Sequence, residues 1–299
     1  MADGWAARIG RLRSGGLART VWRLCPRSVR AGVLCRLWRK RARLRPARAG
    51  AAAAGGIHEA EYGVLSQHGE DGILDFLIGL IGEKSRLFLE FGFSPLECNC
   101  LLLAMERRFG GVFIDGDELN ASDLNKAASL FGLENVHAIR RLLNRENIEK
   151  TIRQAGLSGD IDVLSIDVDG NDFWLWEALR CVSPRIVVIE YNASLGPDRS
   201  ITVPYDPSFE RSRKHPSGWY HGASLEALVR LGRRKGYRLV GCDSMGVNAF
   251  FVREDCVPDE LPPVPARQAY RDHKGRLRRG FSADQQFEMI SDMPFDSVD

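Results

Sequence analysis

No stretch of this chain stays apolar for the roughly 18 to 20 residues that a membrane-spanning helix needs, because Arg, Asp or Glu interrupts every candidate run. That excludes an integral membrane protein of the helical kind. No two glycines lie two positions apart, so the GxGxxG loop of nicotinamide-binding folds is missing, and so is a Walker P-loop. No GxSxG or comparable nucleophile turn occurs, which removes the usual Ser–His–Asp hydrolases. The seven cysteines (25, 35, 98, 100, 181, 242 and 256) are odd in number and form no CxxC pair, so neither a zinc ribbon nor a disulfide framework is indicated. A reducing, cytoplasmic compartment is the expectation. Acid is almost missing from residues 1–50, where Asp3 stands alone against 14 Lys and Arg. That leaves +13 in the first fifty residues and −10 in the rest, and an acidic body argues against a nucleic-acid partner.

What is present divides into three stretches. Residues 1–56 read as a basic amphipathic arm ending in the small-residue linker AGAAAAGG (49–56). In the arm, Trp5, Ile9 and Leu12 recur at helical spacing, as do Val33, Leu34, Leu37 and Trp38, each set among arginines. A basic helix with tryptophan on its apolar side is the pattern of an anionic membrane surface binder, so peripheral membrane association through residues 1–50 is expected. Residues 57–256 alternate short apolar runs with helical periodicity. Strands are expected at 85–93, 110–115, 135–142, 161–169, 184–192, 237–243 and 248–255, and helices near 70–82, 95–108, 121–131, 145–156, 172–181 and 224–235. Such alternation implies βαβ units and a mostly parallel sheet covered on both faces. The last two strands, joined only by 244–247, suggest a terminal hairpin. That is the seven-strand order of the class I methyltransferase fold, with a plain doubly wound sheet as the alternative. The Pro-interrupted segment 193–222 is too long for a plain connection and reads as a lid or acceptor wall, with Tyr191, Tyr205, Trp219 and Tyr220 as its aromatic faces. Residues 257–299 read as a Pro-rich, then charged, tail.

In open α/β sheets ligands bind outside the carboxyl ends of the strands. Four strands here end in acid: Glu90 in LFLEFGF, Asp115 in GVFIDGDELN, Asp167 and Asp169 in LSIDVDGND, and Glu190 in IVVIEYN. Together they make a ring around one crevice. SPLE (94–97) has the pattern of a capping box, with Ser94 as N-cap, Pro95 at the first helical position and Glu97 reaching back. Asp115, closing the second strand, suits the two hydroxyls of a cofactor ribose. IDVDGND (166–172) fails as a calcium loop, since Asp172 stands at the glycine position and Ala178 at the twelfth. Magnesium held by Asp167, Asp169 and Asp172 is the less favoured alternative, so no metal ligands are assigned. His68 and His221 each precede an expected helix and suit a general base.

At these residues the sequence resembles the FkbM-type methyltransferases, which use S-adenosylmethionine, over roughly residues 62–255. LFLEFGF (87–93), VFIDGDELN (112–120) and IDVLSIDVDGND (161–172) carry the likeness. The resemblance implies a Rossmann-like seven-stranded fold and S-adenosylmethionine as cofactor. By the same likeness Glu90 and Gly92 contact the methionine part, Asp115 the ribose with Asp117 beside it, and Asp167 the region next to the methyl group. The expected reaction is O-methylation of a hydroxyl on a sugar or other small-molecule acceptor, with Asp167 as first and His221 as second catalytic base. The family's second glycine is absent, Phe93 and Ser94 following Gly92. The alternative reading is therefore a non-catalytic module of the same fold in a surface-polysaccharide or membrane-associated assembly. A nucleotide-sugar-modifying enzyme using the acids with magnesium is a further rival.

Overall fold

The computed structural model describes residues 2–10, 12, 16–44 and 56–299, so the expected linker lies, except for Gly56, outside the described residues. Seven strands form one sheet: β1 (Leu87–Phe91), β2 (Gly110–Asp115), β3 (Val136–Arg140), β4 (Gly159–Ile166), β5 (Val182–Glu190), β7 (Tyr237–Cys242) and β8 (Asn248–Arg253). The two-residue strands β6 (Ile201–Thr202) and β9 (Asp296–Ser297) pair with each other outside it. The order is β3-β2-β1-β4-β5-β8-β7. β1 to β5 run parallel, and β8 is inserted antiparallel between β5 and β7. This is the class I methyltransferase fold, and the terminal hairpin decides it over a plain doubly wound sheet.

Because helices cover both faces, the strands are apolar throughout and their alternation sorts residues between two cores. Phe88, Phe113, Val163 and Ile186 point into one, while Leu89, Val112, Leu164 and Val187 point into the other. Helix Glu118–Phe131 illustrates the local logic. Asp117 caps it by accepting from Leu119 N at 2.7 Å, and Gly132 ends it at φ 88°.

Three expectations change here. The arm is not a free amphipathic segment: helix Arg27–Ala42 lies on the first core with Val33, Leu34, Leu37 and Trp38 buried, and Ile9 is buried with them. Trp38 packs 5.9 Å from the Phe131 ring and its Nε1 donates to Pro95 O at 3.0 Å. Arg30 Nη1 donates to Asp123 Oδ2 at 3.1 Å in a buried pair. The apolar stripe read as membrane-facing is thus satisfied by the protein's own core.

Second, residues 257–299 fold back. Ile290 is fully buried with Leu195, Val203, Trp219 and Tyr220, and Val298 N donates to Ser200 O at 2.9 Å. The tail's widely spaced Phe281, Phe287 and Phe295 support that cluster, an apolar content too sparse to show periodicity. Third, SPLE is not a helix start. Ser94 and Glu97 close a turn (Glu97 N to Ser94 O 2.8 Å), and the helix begins at Leu101. Glu97 does not reach back, because its side chain pairs with Arg19 at 3.0 Å.

If the arm is core, Trp38→Ala should cost on the order of 3–5 kcal/mol in urea unfolding, the usual loss for a buried Trp. Leu17→Ala, at a side chain 64% exposed, should change stability by less than about 0.5 kcal/mol. Equal effects from the two substitutions would refute the docking.

Candidate active site

The carboxyl ends of β1, β2 and β4 meet at Gly92. Its N–H donates to Ile114 O at 2.9 Å, and Asp167 N donates to Phe91 O at 2.9 Å. Gly92 has φ 68°, and a Cβ there would collide with the carbonyl oxygen of Asp167. Only glycine meets both demands.

Around this point opens a cleft of about 370 Å³, lined by the acids Glu90, Asp115, Asp117, Asp167, Asp169 and Glu190 together with Gly92. The structure therefore brings together every expected cofactor-contacting residue. Next to the cleft lies a second cavity of about 210 Å³, which shares Gly92, Asp115, Asp167 and Asp169 with it. The rest of its wall mixes the apolar Ile114, Leu142, Leu143, Val168, Pro207 and Phe209 with Arg141 and Asn171.

Each acid has a distinct setting. Glu90 is buried and accepts from Asn99 N at 2.9 Å and Cys100 N at 2.8 Å. Burial nevertheless pushes it up to about 7. The N–H groups leading into helix Leu101–Arg107 are thereby occupied by a protein carboxylate. Asp115 accepts from Asp117 N at 2.6 Å and Asn120 Nδ2 at 3.4 Å on Oδ1 and from Phe93 N at 3.2 Å on Oδ2, and burial raises it too. Oδ2, with a single donor, keeps capacity for another. Asp117 lines the cleft but spends one oxygen on its helix cap, and its other oxygen lies 3.6 Å from Arg23.

At the ends of β4 and β5, single carboxylate oxygens of Asp167, Asp169 and Glu190 lie within 4.8 Å of one another. Burial first, then Asp169 and Asp172, raise Asp167 well above the ordinary carboxylate range. Arg211, from segment 193–222, enters this group with Nη1 2.5 Å from Asp169 Oδ1 and 3.7 Å from Glu190 Oε1. The set weighed for magnesium is not assembled. Asp172 is fully buried and uses both oxygens on Val168 N (2.8 Å) and Gly170 N (2.9 Å), which shapes the loop after β4. The three carboxylates that do converge have the Arg211 guanidinium as counter-charge to Asp169 and Glu190.

His221 is placed behind Glu190 and does not line the cleft, whereas His68 and His273 do. The aromatic wall expected of segment 193–222 does not line the cavities: Tyr191, Trp219 and Tyr220 are core, and Tyr205 is half-buried away from them. Trp219 and Tyr220 are buried with Ile290, Tyr191 OH donates to Arg271 O at 2.7 Å, and Tyr205 leans on Trp174. What the segment gives to the cavities is Arg211, Pro207 and Phe209. Arg19, Trp22, Arg23 and Arg30 of the arm also line the cleft. Nothing in their local sequence marked them, since an arginine bound for a cleft and one bound for solvent read alike.

No protein-family model matches this chain, and no curated protein matches it. Among solved structures it is similar to the N-terminal domain of EvdMO1 with SAH bound, at 14% identity and TM-score 0.40, over 73% of this chain and 94% of that one. A putative O-methyltransferase from Klebsiella pneumoniae is 15% identical with TM-score 0.41, over 85% and 99% of the two chains. A methyltransferase from Geobacter sulfurreducens is 16% identical with TM-score 0.40, over 63% and 79%. All three likenesses are distant.

Gly92→Ala should lower stability by about 3 kcal/mol or more, through overpacking against backbone and a left-handed φ together. Urea unfolding measures this, and a loss below about 1 kcal/mol would mean that the three strand ends are not tied at this residue.

Proposed function

We propose that the chain is an S-adenosylmethionine-dependent methyltransferase acting on a hydroxyl of a sugar or other small-molecule acceptor. The observation that carries this reading is the position of Asp115, at the junction of an acidic cleft and a cavity with an apolar side of Ile114, Leu142, Leu143, Val168, Pro207 and Phe209. S-adenosylmethionine joins a flat apolar base, a ribose diol and a tail bearing a sulfonium and an ammonium. That apolar side suits the base, Asp115 suits the diol, and the ring of carboxylates suits the two cations. A dinucleotide fits poorly. Its diphosphate would need free N–H groups at a helix start, and those of Asn99 and Cys100 are held by Glu90. In this reading Gly92 and Glu90 border the methionine part. Asp167, which lines both cavities, stands at the methyl group, and Glu190 and Arg211 face the acceptor.

S-adenosylhomocysteine binding by calorimetry tests the reading. The full chain should bind it, and Asp115→Ala should weaken binding at least tenfold, about 1.4 kcal/mol, the scale of a hydrogen bond to a charged group. Absence of heat with either S-adenosylmethionine or its product would leave a non-catalytic module of this fold as the better reading.

We further propose that the protein works in the cytoplasm, peripherally at an anionic membrane. No helix among the described residues is long and apolar enough to cross a membrane. The surface that favours contact is not the stripe first expected. Leu17, Val21 and Leu24 recur at i, i+4 and i+7 on helix Gly16–Leu24, with Leu17 64% and Leu24 68% exposed. Arg8, Arg27, Arg36, Arg39, Lys40 and Arg43 of the same arm are exposed as well. Each basic residue near an anionic surface contributes roughly 1 kcal/mol before screening. The full chain should sediment with anionic but not neutral vesicles, raised salt should release it, and the pair Leu17→Ser with Leu24→Ser should lower the bound fraction severalfold. Equal binding to both vesicle types would overturn the proposal.

A further inference from the structure

Glu190 ends β5, borders the larger cavity alone and is 8% exposed. Its Oε1 faces Arg211, while its Oε2 is buried and accepts no hydrogen bond. The nearest group to Oε2 is Nδ1 of His221, 3.6 Å away, which is buried and unpartnered as well. On its far side the imidazole has a partner: Nε2 lies 3.0 Å from Nη2 of Arg276. A guanidinium only donates, so Nε2 must present its lone pair, and in a neutral ring the proton then sits on Nδ1, aimed at Glu190. The ring is neutral, because burial, with Arg211 and Arg276 close by, lowers its pKa well below 6.5. Arg276 itself is 4% exposed and pairs with no carboxylate among the described residues. It is held by Asn192 Oδ1 at 2.9 Å and by Ser194 Oγ. A line of polar groups thus runs from the C-terminal segment through His221 to one carboxylate of the cleft.

We infer that Glu190 is the group that accepts the proton of the acceptor hydroxyl, and that His221 and Arg276 are positioning residues behind it. This rests on the methyltransferase reading. His221 cannot serve as the base from this geometry, since one nitrogen is blocked by Arg276 and the other already bears a proton. Asp167 lies on the cofactor side, lining both cavities, and Glu190 lies one strand further out, where an acceptor would sit. In the step itself an oxygen lone pair of the acceptor forms the new O–CH₃ bond while the C–S bond breaks, its electrons passing to sulfur. The hydroxyl proton goes to Glu190 Oε1. Oε2 stays turned toward Nδ1–H of His221, and the long contact tightens as ligand fills the site, as unliganded catalytic contacts commonly do. The charged and titratable groups facing Glu190 are Asp167, Asp169 and Asp172 from the β4 side, Arg211 from segment 193–222, and His221 with Arg276 behind. Burial and the three acids raise the proton affinity of the Glu190 carboxylate above that of a free one, which strengthens it as a base, and Arg211 opposes that rise and favours the ionised form from which it must act.

Two measurements on the full chain test this. With ¹⁵N-labelled histidine, His221 should show the Nδ1–H tautomer and stay neutral from about pH 5.5 to 8.5. Arg276→Met should free Nε2, so that the still neutral ring no longer holds its proton on Nδ1 alone and the Nε2–H tautomer becomes populated. An Nε2–H tautomer in the wild type, or ordinary titration of His221, overturns the arrangement. For chemistry, S-adenosylhomocysteine release from S-adenosylmethionine is followed with a panel of sugars, polyols and phenols. Glu190→Gln should bind S-adenosylhomocysteine within about threefold of wild type and lose roughly 100-fold or more in kcat. His221→Phe should lose less and shift the acid limb of the pH–rate profile, and His221→Asn, which restores a donor toward Glu190, should recover part of the rate. Full turnover by Glu190→Gln, or a tenfold loss of product binding, overturns the assignment as proton acceptor. A wild type that binds neither cofactor nor product, or that turns over no member of the panel, overturns hydroxyl methylation and the base assignment with it. The tautomer then still decides by itself whether Arg276 and His221 are paired toward Glu190.

Discussion

The site depends on one close approach, that of Gly92 to the carbonyl oxygen of Asp167. Parallel strands connected by helices end at different heights unless something fixes them, and here the chain leaving β1 crosses directly over the end of β4. The hydrogen bonds from Gly92 to Ile114 and from Asp167 to Phe91 tie three strand ends together at one level. The acid that closes each strand therefore opens on one cleft rather than on separate surfaces. It also explains why one glycine suffices. The backbone must pass a carbonyl closely, but it need not cradle a diphosphate, which is what further glycines supply in dinucleotide folds.

Clustering that many carboxylates is unfavourable unless each is answered, and the answers differ in kind. Glu90 and Asp172 are spent on backbone N–H groups and so hold loops in place. Asp117 caps a helix. Asp169 has Arg211. Asp115 Oδ2 has one donor and capacity left over, and Glu190 Oε2 has none at all. Unmet demand is thus confined to the positions that border the cavities. A cationic ligand would relieve it, which is the physical content of calling the cleft a site.

The sheet was legible in the sequence because a parallel sheet covered on both faces must be written in continuous apolar runs, and IDVLSI and RIVVIE can be little else. The ring of acids was legible for the same reason, as the residue where each run turns polar. The helix start at SPLE was not, because a capping pattern states only that Ser and Glu three residues apart can satisfy N–H groups. Here Glu90, from another element, takes the N–H groups before the helix, and Glu97 is drawn to Arg19. The aromatic residues of segment 193–222 were read as a wall because aromatics suit ligands, yet Trp219 and Tyr220 suit a core better once residues 281–295 arrive to bury them. Arg211 and Arg276 carry no local pattern at all. Their roles arise from where a long segment and a distant tail return, and no short-range spacing encodes that.

The arm shows the limit most clearly and also resolves it. A helix with an apolar stripe among arginines needs an apolar surface with acid around it, and an anionic membrane and this protein's own acidic body both meet that description. The split of +13 against −10 between the first fifty residues and the rest was the clue to the second. It is answered inside the chain by Arg19 with Glu97, Arg23 with Asp117 and Arg30 with Asp123. The first two pairs have exposed arginines and so contribute little, on the order of 0–1 kcal/mol each. The third is buried, and its worth is specificity more than strength, since an unpaired charge there would be costly and only one docking of helix Arg27–Ala42 avoids it. Burial of Val33, Leu34, Leu37 and Trp38 holds the helix on the core, and the Arg30–Asp123 pair satisfies the one buried charge it brings there. Since Arg19, Trp22 and Arg23 of the preceding helix and Arg30 of this one line the cleft, the basic arm is part of the wall of the site that the acids build.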